Sequence, residues 1–262
     1  MNTPTRLVQF TDPHLYGDPA GRLRGIETLS SLRATVAQAR HERGRWDATL
    51  LTGDLVQDDP AGYAHVRAVF GGFDHPVYCL PGNHDDAGAM RRELADAPFR
   101  YCGDATLGPW QVVMLDSCVE GTGGSGAVGE SELERLDALL AARAAPYALV
   151  CLHHHPVRMG SHWLDEVGLA DADDFLAVID RHPAVRGVLW GHVHQAYDGR
   201  RGIIRMMGTP STCAQFKPHV DGFAIDVRPP AYRWLDLNAD GTIFTAIEWV
   251  AQAEQVLRSQ SA

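Results

Sequence analysis

The chain is poor in basic residues. Lysine and arginine together number 23, against 33 aspartate and glutamate residues, which gives a formal net charge of −10 at pH 7. This balance argues against a nucleic-acid polymer as the main partner, because binding a polyanion needs basic patches. A small anionic substrate remains compatible with the sequence, since bound metal cations can dominate the field at a site.

Paired cysteines and long apolar runs are also lacking. The five cysteines are odd in number and show no Cys-x-x-Cys spacing, which argues against a disulfide framework and a thiolate metal site. No apolar stretch approaches the roughly 18 residues that a membrane span requires. The first residues lead directly into a strand pattern and do not form a secretory signal. We therefore expect a soluble cytoplasmic protein without a membrane partner.

Metal-seeking side chains are abundant, and they stand at the ends of apolar runs. Each run has the length and β-branched content of a buried strand. Five such strand ends would gather oxygen and nitrogen donors at one sheet edge, which indicates a dinuclear metal site and metal-assisted hydrolysis. The five segments are Asp12-Pro13-His14, Gly53-Asp54, Gly82-Asn83-His84-Asp85, His153-His154-His155-Pro156 and Gly191-His192-Val193-His194.

The order and the sequences of these segments resemble the motifs of the calcineurin-like metallophosphoesterase family, from about Gln9 to His194. Periodicity alone predicts an α/β protein, with alternating strands and helices. The resemblance implies more, namely a four-layer α/β/β/α sandwich of two mixed sheets flanked by helices. Two later stretches, Ser161–Asp165 and Thr209–Pro218, resemble the bacterial class III 3′,5′-cyclic-AMP phosphodiesterases in particular.

The resemblance also implies a set of metal ligands shared between two sites. Asp54 would bridge the two metal ions, which lie about 3.5–4 Å apart in such centres and need a common ligand to offset their repulsion. Oxygen and nitrogen donors without a thiolate favour iron or manganese, with zinc or cobalt as alternatives. The first site would take Asp12, His14 and His194 with Asp54, and the second Asn83, His154 and His192 with Asp54.

The three consecutive histidines need separate treatment. The family pattern places the ligand two residues before the proline, which is His154. In a strand, His153 and His155 would point away from His154. We therefore expect these two to pack or to form hydrogen bonds behind the ligands, with His155 alternatively lining the pocket.

His84 follows the ligand Asn83, and we expect it to lie over the metal pair without coordinating. There it would contact the substrate together with Asn83, and either donate a proton to the departing oxygen or stabilise charge on the phosphate. Asp85 is predicted either to hold the His84 ring through its other nitrogen or to cap the following helix. Both roles for Asp85 stay open.

These features predict a phosphodiesterase that hydrolyses 3′,5′-cyclic AMP to 5′-AMP. Glycerophosphodiesters, 2′,3′-cyclic nucleotides and nucleotide pyrophosphates are alternative substrates. A phosphomonoesterase or protein phosphatase, and a metal-free binding scaffold on the same fold, are further alternatives. Trp163 and Phe216 are expected either to stack on the base or to pack within the protein.

A single domain over residues 1–262 is expected, with the metal-binding core at about 6–210. The segment of about 222–262 would form a β-hairpin, turning at Asp240-Gly241, and a tail. The glycine-rich stretch Gly121–Gly126 is either a surface loop or a rim of the active site. A homodimer is left open by the sequence.

Overall fold

The computed structural model describes residues 3–250, which form sixteen strands and six α-helices. Within these residues no helix combines the length and apolar character needed to cross a membrane. The strands are β1 Thr5–Phe10, β2 Arg22–Leu23, β3 Ile26–Glu27, β4 Ala48–Thr52, β5 Val77–Leu80, β6 Phe99–Tyr101, β7 Gly103–Leu107, β8 Trp110–Met114, β9 Tyr147–Cys151, β10 Val185–Trp190, β11 Tyr197–Arg201, β12 Ile204–Gly208, β13 Gln215–Phe216, β14 Ile225–Asp226, β15 Ala231–Leu237 and β16 Ile243–Trp249. The helices are α1 Thr28–Arg43, α2 Tyr63–Phe70, α3 Ala87–Glu93, α4 Glu130–Ala142, α5 His162–Asp165 and α6 Ala172–Arg181.

Two six-stranded sheets organise the described chain. The first has the order β16-β15-β1-β4-β5-β6, and the second has the order β11-β12-β10-β9-β8-β7. In each sheet four neighbouring strands are parallel: β1, β4, β5 and β6 in the first, and β12, β10, β9 and β8 in the second. Antiparallel strands complete both sheets. Parallel strands carry their carboxyl ends to one edge, where open α/β sheets place their sites.

Three layers of apolar contact hold the sheets and helices together. Leu50, Trp110 and Leu149 belong to a core buried between the two sheets. A second core lies between the first sheet and α1, α2 and α3, and includes Phe70. A third lies between the second sheet and helices α4 and α6, and includes Phe175. Burying one such large side chain stabilises the fold by roughly 1.5–3 kcal/mol. The four-layer α/β/β/α architecture expected from the sequence is confirmed.

The local elements also follow the sequence pattern. Leu29, Leu32 and Val36 form the buried face of α1, and Gly44, at φ 65°, ends the helix by donating its N–H to Arg40. The predicted hairpin at Asp240-Gly241 joins β15 to β16. The predicted tail beyond residue 250 lies outside the described residues.

Candidate metal centre

The candidate ligands converge where β1, β4 and β5 of the first sheet meet β9 and β10 of the second. The converging aspartates and histidines are buried, except His84, which is partly exposed. Their donor atoms form four overlapping groups, each with all its atoms within 4.8 Å of one another. The groups are Asp12–His14–His194, His14–Asp54–His84, Asp12–Asp54–His153 and His153–His154–His192.

The first cluster brings two imidazole nitrogens face to face. His14 Nε2 lies 3.1 Å from His194 Nε2, and the latter lies 3.3 Å from Asp12 Oδ1. His14 Nε2 is also 3.7 Å from Asp54 Oδ2. Burial lowers the pKa of His14 to about 4, so its ring is neutral near pH 7 and offers a lone pair. Two carboxylates and two imidazoles directed at one point form a donor set that suits a hard or borderline metal cation.

His153 is central to the second cluster, which contains His153, His154 and His192. Its Nε2 atom lies 3.3 Å from Asn83 Oδ1 and 3.5 Å from Asp54 Oδ2. Burial would lower the pKa of His153, but the Asp54 carboxylate raises it to about 9. The sequence predicted that His153 would point away from His154, but donor atoms of both rings lie within 4.8 Å of each other. Strand β9 ends at Cys151, so the alternation of a strand does not extend to the histidines.

His154, the residue expected as the ligand, lies beside His153 with its ring 4.8 Å from that of His192. Its Nδ1 atom is 2.8 Å from the Ser117 hydroxyl, and its Nε2 atom is buried without a hydrogen-bond partner among the described residues. The sequence did not predict this contact between Ser117 and a histidine of the site. His155 stacks on His192 at 5.6 Å, and burial lowers the pKa of His155 to about 4.

Backbone carbonyls fix the orientation of three rings. His153 Nδ1 donates to the Thr52 carbonyl at 2.8 Å, and His194 Nδ1 donates to the Ala214 carbonyl at 2.6 Å. His192 uses its other nitrogen, Nε2, to donate to Val167 at 3.0 Å. Because a carbonyl only accepts, the bonded nitrogen of each ring carries a proton, and the opposite nitrogen is directed at the cluster.

The backbone is strained at five candidate ligands. These residues adopt positive φ angles, a region that costs side-chain-bearing residues of order 1–3 kcal/mol each. Interstrand hydrogen bonds hold the strained loops, including Asp12 N–H to Gly53 and His14 N–H to Asp54, both at 3.0 Å. Strain concentrated in this way is typical of functional sites. The angles are 53° at Asp12, 49° at His14, 50° at Asp54, 64° at His192 and 47° at His194.

Two glycines allow the loops to approach the ligands closely. A side chain at Gly53, which has φ 93°, would collide with the His153 imidazole. A side chain at Gly82 would collide with the Asp54 carboxylate. Space therefore requires glycine at both positions, and the positive φ angle requires it at Gly53 as well.

The His84 ring lies at the edge of the cluster, and its partner differs from the one expected. Its backbone N–H donates to Asp54 Oδ1 at 2.9 Å, and its ring meets that of His14 edge-on at 5.3 Å. The ring nitrogen Nδ1 lies 3.1 Å from both carboxylate oxygens of Asp58 and 2.9 Å from Gln57 Nε2. Sequence analysis missed Asp58 because 26 residues separate it from His84, and an acidic residue after a Gly-Asp segment gives no distinctive signal.

Asp85 ties the β4 and β5 loops together and does not contact the His84 ring. Its carboxylate accepts N–H groups from Gly82 at 2.9 Å and from Leu55 and Val56 at 3.1 Å, and the Tyr63 hydroxyl at 2.9 Å. Burial, reinforced by the charge of Asp54, raises the pKa of Asp85 to about 7. Both expected roles of Asp85 are therefore corrected. The four donors hold the carboxylate away from the His84 ring. The cap of α3 is Asp86, which accepts from Ala89 N–H at 2.8 Å.

A cavity of about 170 Å³ opens beside the clustered side chains. Trp163 and Phe216 line one wall, and Phe216 stacks on the His194 ring at 4.0 Å with 5° between the planes. Gly123 and Gly124 line the cavity as well. The glycine-rich loop is therefore a rim of the site, which resolves the alternative left open by the sequence.

Buried polar side chains support the cluster from between the sheets. The Thr11 hydroxyl donates to Asp12 Oδ2 at 2.6 Å. Behind it, Gln9 donates to the Thr52 hydroxyl at 2.7 Å and accepts from Thr209 at 2.5 Å. Arg233, buried beneath, donates to the Thr209 hydroxyl at 2.9 Å. These hydrogen bonds restrain the Asp12 carboxylate, which belongs to the first cluster.

Comparison with known proteins identifies the family. The family model for calcineurin-like phosphoesterases matches residues 5–196. The chain belongs to the calcineurin-like phosphoesterase family. It is 38% identical to the 3′,5′-cyclic adenosine monophosphate phosphodiesterase CpdA of Escherichia coli K12, over 94% of this chain and 90% of that relative. It is 35% identical to CpdA of Pseudomonas aeruginosa, over 95% of this chain and 93% of that relative.

Solved structures of other members share the fold. A dimetal phosphatase from Danio rerio matches with a TM-score of 0.63 and 18% identity, over 89% of this chain and 95% of that chain. Purple acid phosphatase PPD1 from yellow lupin matches with a TM-score of 0.68 and 11% identity, over 97% of this chain and 52% of that chain. The family is dinuclear and metal-dependent, and the buried imidazole and carboxylate groups of this chain fit such a centre.

Proposed function

We propose that this chain is a phosphodiesterase that hydrolyses 3′,5′-cyclic AMP to 5′-AMP at a dinuclear metal centre. The observation that carries the proposal is the convergence of both clusters on one buried carboxylate, Asp54, beside an aromatic-walled cavity of about 170 Å³. The near full-length similarity to cyclic-AMP phosphodiesterases supports the choice of substrate. We expect the enzyme to act in the cytoplasm as a single domain.

Asp54 is assigned as the bridging residue because its Oδ2 atom lies near a histidine of each cluster, 3.7 Å from His14 Nε2 and 3.5 Å from His153 Nε2. One metal ion would be held by Asp54 with Asp12, His14 and His194. The other would be held by Asp54, Asn83 and His192 with His153, which we favour over His154 because its Nε2 is near both Asn83 and Asp54. When bound, two such ions neutralise phosphate charge and lower the pKa of water. Iron and manganese suit these donors best, and zinc or cobalt would be accepted.

His84 is assigned as the proton donor to the leaving 3′ oxygen. With Nδ1 bonded to Asp58, the opposite ring nitrogen, Nε2, is the one left to reach the substrate. Asn83 and His84 also contact the phosphate in this proposal, since both line the cavity. Asp85 acts through position alone, because its carboxylate holds the loop that carries both residues.

A substrate panel tests the proposal. The quantity to compare is kcat/KM for cyclic AMP, 2′,3′-cyclic AMP, bis-nitrophenyl phosphate and glycerophosphodiesters, with the nucleotide product identified by chromatography. We expect cyclic AMP to be among the best natural diesters and to yield 5′-AMP. A chain that leaves cyclic AMP intact, or forms 3′-AMP, would contradict the proposal. Elemental analysis of the same sample identifies the metals.

A further inference from the structure

Three aromatic rings from different segments form a continuous wall beside the metal centre. Trp163, from α5, and Phe216, from β13, line the cavity, and Phe223 lies in the turn between β13 and β14. The three ring centroids are 5.1–5.3 Å apart and every pair is edge-to-face. Phe223 is 44% exposed, so the outer end of the wall faces solvent. An exposed aromatic ring continuous with a substrate cavity suits a ligand with its own flat ring.

A cation completes this wall. Arg24, between β2 and β3, places its guanidinium carbon 4.8 Å from the centroid of Phe223. Its backbone adopts φ 51°, a strained conformation for arginine. Arg24 therefore lies at the outer end of the wall, where Phe223 is exposed.

We propose that Arg24 and Phe223, together with Trp163, form the subsite for the purine base of the nucleotide. This inference rests on the proposed function and assigns its selectivity. The metal ions recognise only the phosphate, so any preference for a nucleotide over a simple diester comes from groups beyond them. Trp163 and Phe223 offer ring faces and edges for stacking, and the guanidinium offers N–H donors to the acceptor nitrogens of the base.

The experiment compares a substrate with a purine base and one without. For Arg24→Ala and for Phe223→Leu, kcat/KM is measured with cyclic AMP and with a glycerophosphodiester, which has no aromatic ring. We expect the ratio of the two values to fall about 10-fold in each variant, mainly through a higher KM for cyclic AMP, which is within the range of base–aromatic stacking and cation–π contributions. Phe223→Tyr keeps the ring and should keep the ratio.

A matched control is available at the far end of α1. The guanidinium carbon of Arg40 lies 4.4 Å from the centroid of the Phe73 ring, so Arg40→Ala removes a similar cation–π contact away from the cavity. Its ratio should equal that of the unmodified enzyme. The base subsite alone would be overturned if the ratio were unchanged in Arg24→Ala and Phe223→Leu, including the case of equal losses on both substrates. Failure of the unmodified enzyme to convert cyclic AMP would overturn the proposed function with it.

Discussion

The two sheets contribute different chemistry to one centre. Loops of the first sheet supply both carboxylates and the amide, through Asp12, Asp54 and Asn83, in addition to His14. Loops of the second sheet supply imidazoles alone. Three of these rings are oriented by backbone carbonyls. The first sheet thus provides the negative charge that offsets two cations, and the second provides directional nitrogen donors. The imidazoles of the second sheet are His153, His154, His192 and His194.

This division predicts that loss of a first-sheet carboxylate is more damaging than loss of a second-sheet imidazole. The largest effect is expected for Asp54→Ala, which removes the charge and the oxygens shared by both clusters. Elemental analysis should find both metals lost and activity abolished. Asn83→Ala removes one amide oxygen and should weaken chiefly one metal. A full complement of two metals in Asp54→Ala would contradict the bridging assignment.

His84 lies in a loop of the first sheet, but we assign it to proton transfer and not to metal binding. Its replacement should therefore lower the reaction rate without releasing the metals. We expect His84→Ala to keep both metals and to lose about 10²–10⁴-fold in kcat on cyclic AMP, the usual range for general acid catalysis. The loss should be much smaller for bis-nitrophenyl phosphate, whose leaving group needs little protonation. Asp58→Asn should change activity in the same direction to a smaller extent. Equal losses on both substrates would indicate that His84 stabilises phosphate charge.

The sequence predicted much of the first sheet's contribution because each donor directly follows a recognisable apolar strand. Asp12, Asp54 and Asn83 converge as expected. The second sheet was harder, since the orientation of three consecutive histidines depends on where β9 ends, and periodicity does not define that boundary to one residue. The His84–Asp58 contact was also beyond reach, because it forms between loops of neighbouring strands whose register only the fold determines.

A pair of variants sharpens the choice within the second sheet. His153→Ala should lose the second metal, because its Nε2 lies near both Asn83 and Asp54. His154→Ala should keep two metals and bind the second about 10-fold more weakly, as expected for a residue that supports a ligand. Metal titration of the two purified variants measures both effects. The reverse result would return the ligand role to His154, as the family pattern implies.

The smallest effect is expected behind the first cluster. Thr11→Val keeps the shape of the side chain but removes the hydrogen bond to Asp12, and should weaken the first metal by about 10-fold. Thr11→Ser should restore affinity. Thr35→Val serves as a control, because this buried threonine bonds Ser31 within α1. Equal metal affinity in the Thr11 and Thr35 valine variants would show that Thr11 does not position the ligand.

Anomalous diffraction from crystals of the metal-loaded protein tests the central claim most directly. The account predicts two peaks about 3.5–4 Å apart. Asp54 should lie between the two peaks. Asp12 should contact one metal and Asn83 should contact the other. A single peak, or two peaks of which only one contacts Asp54, would contradict a centre shared by the two sheets.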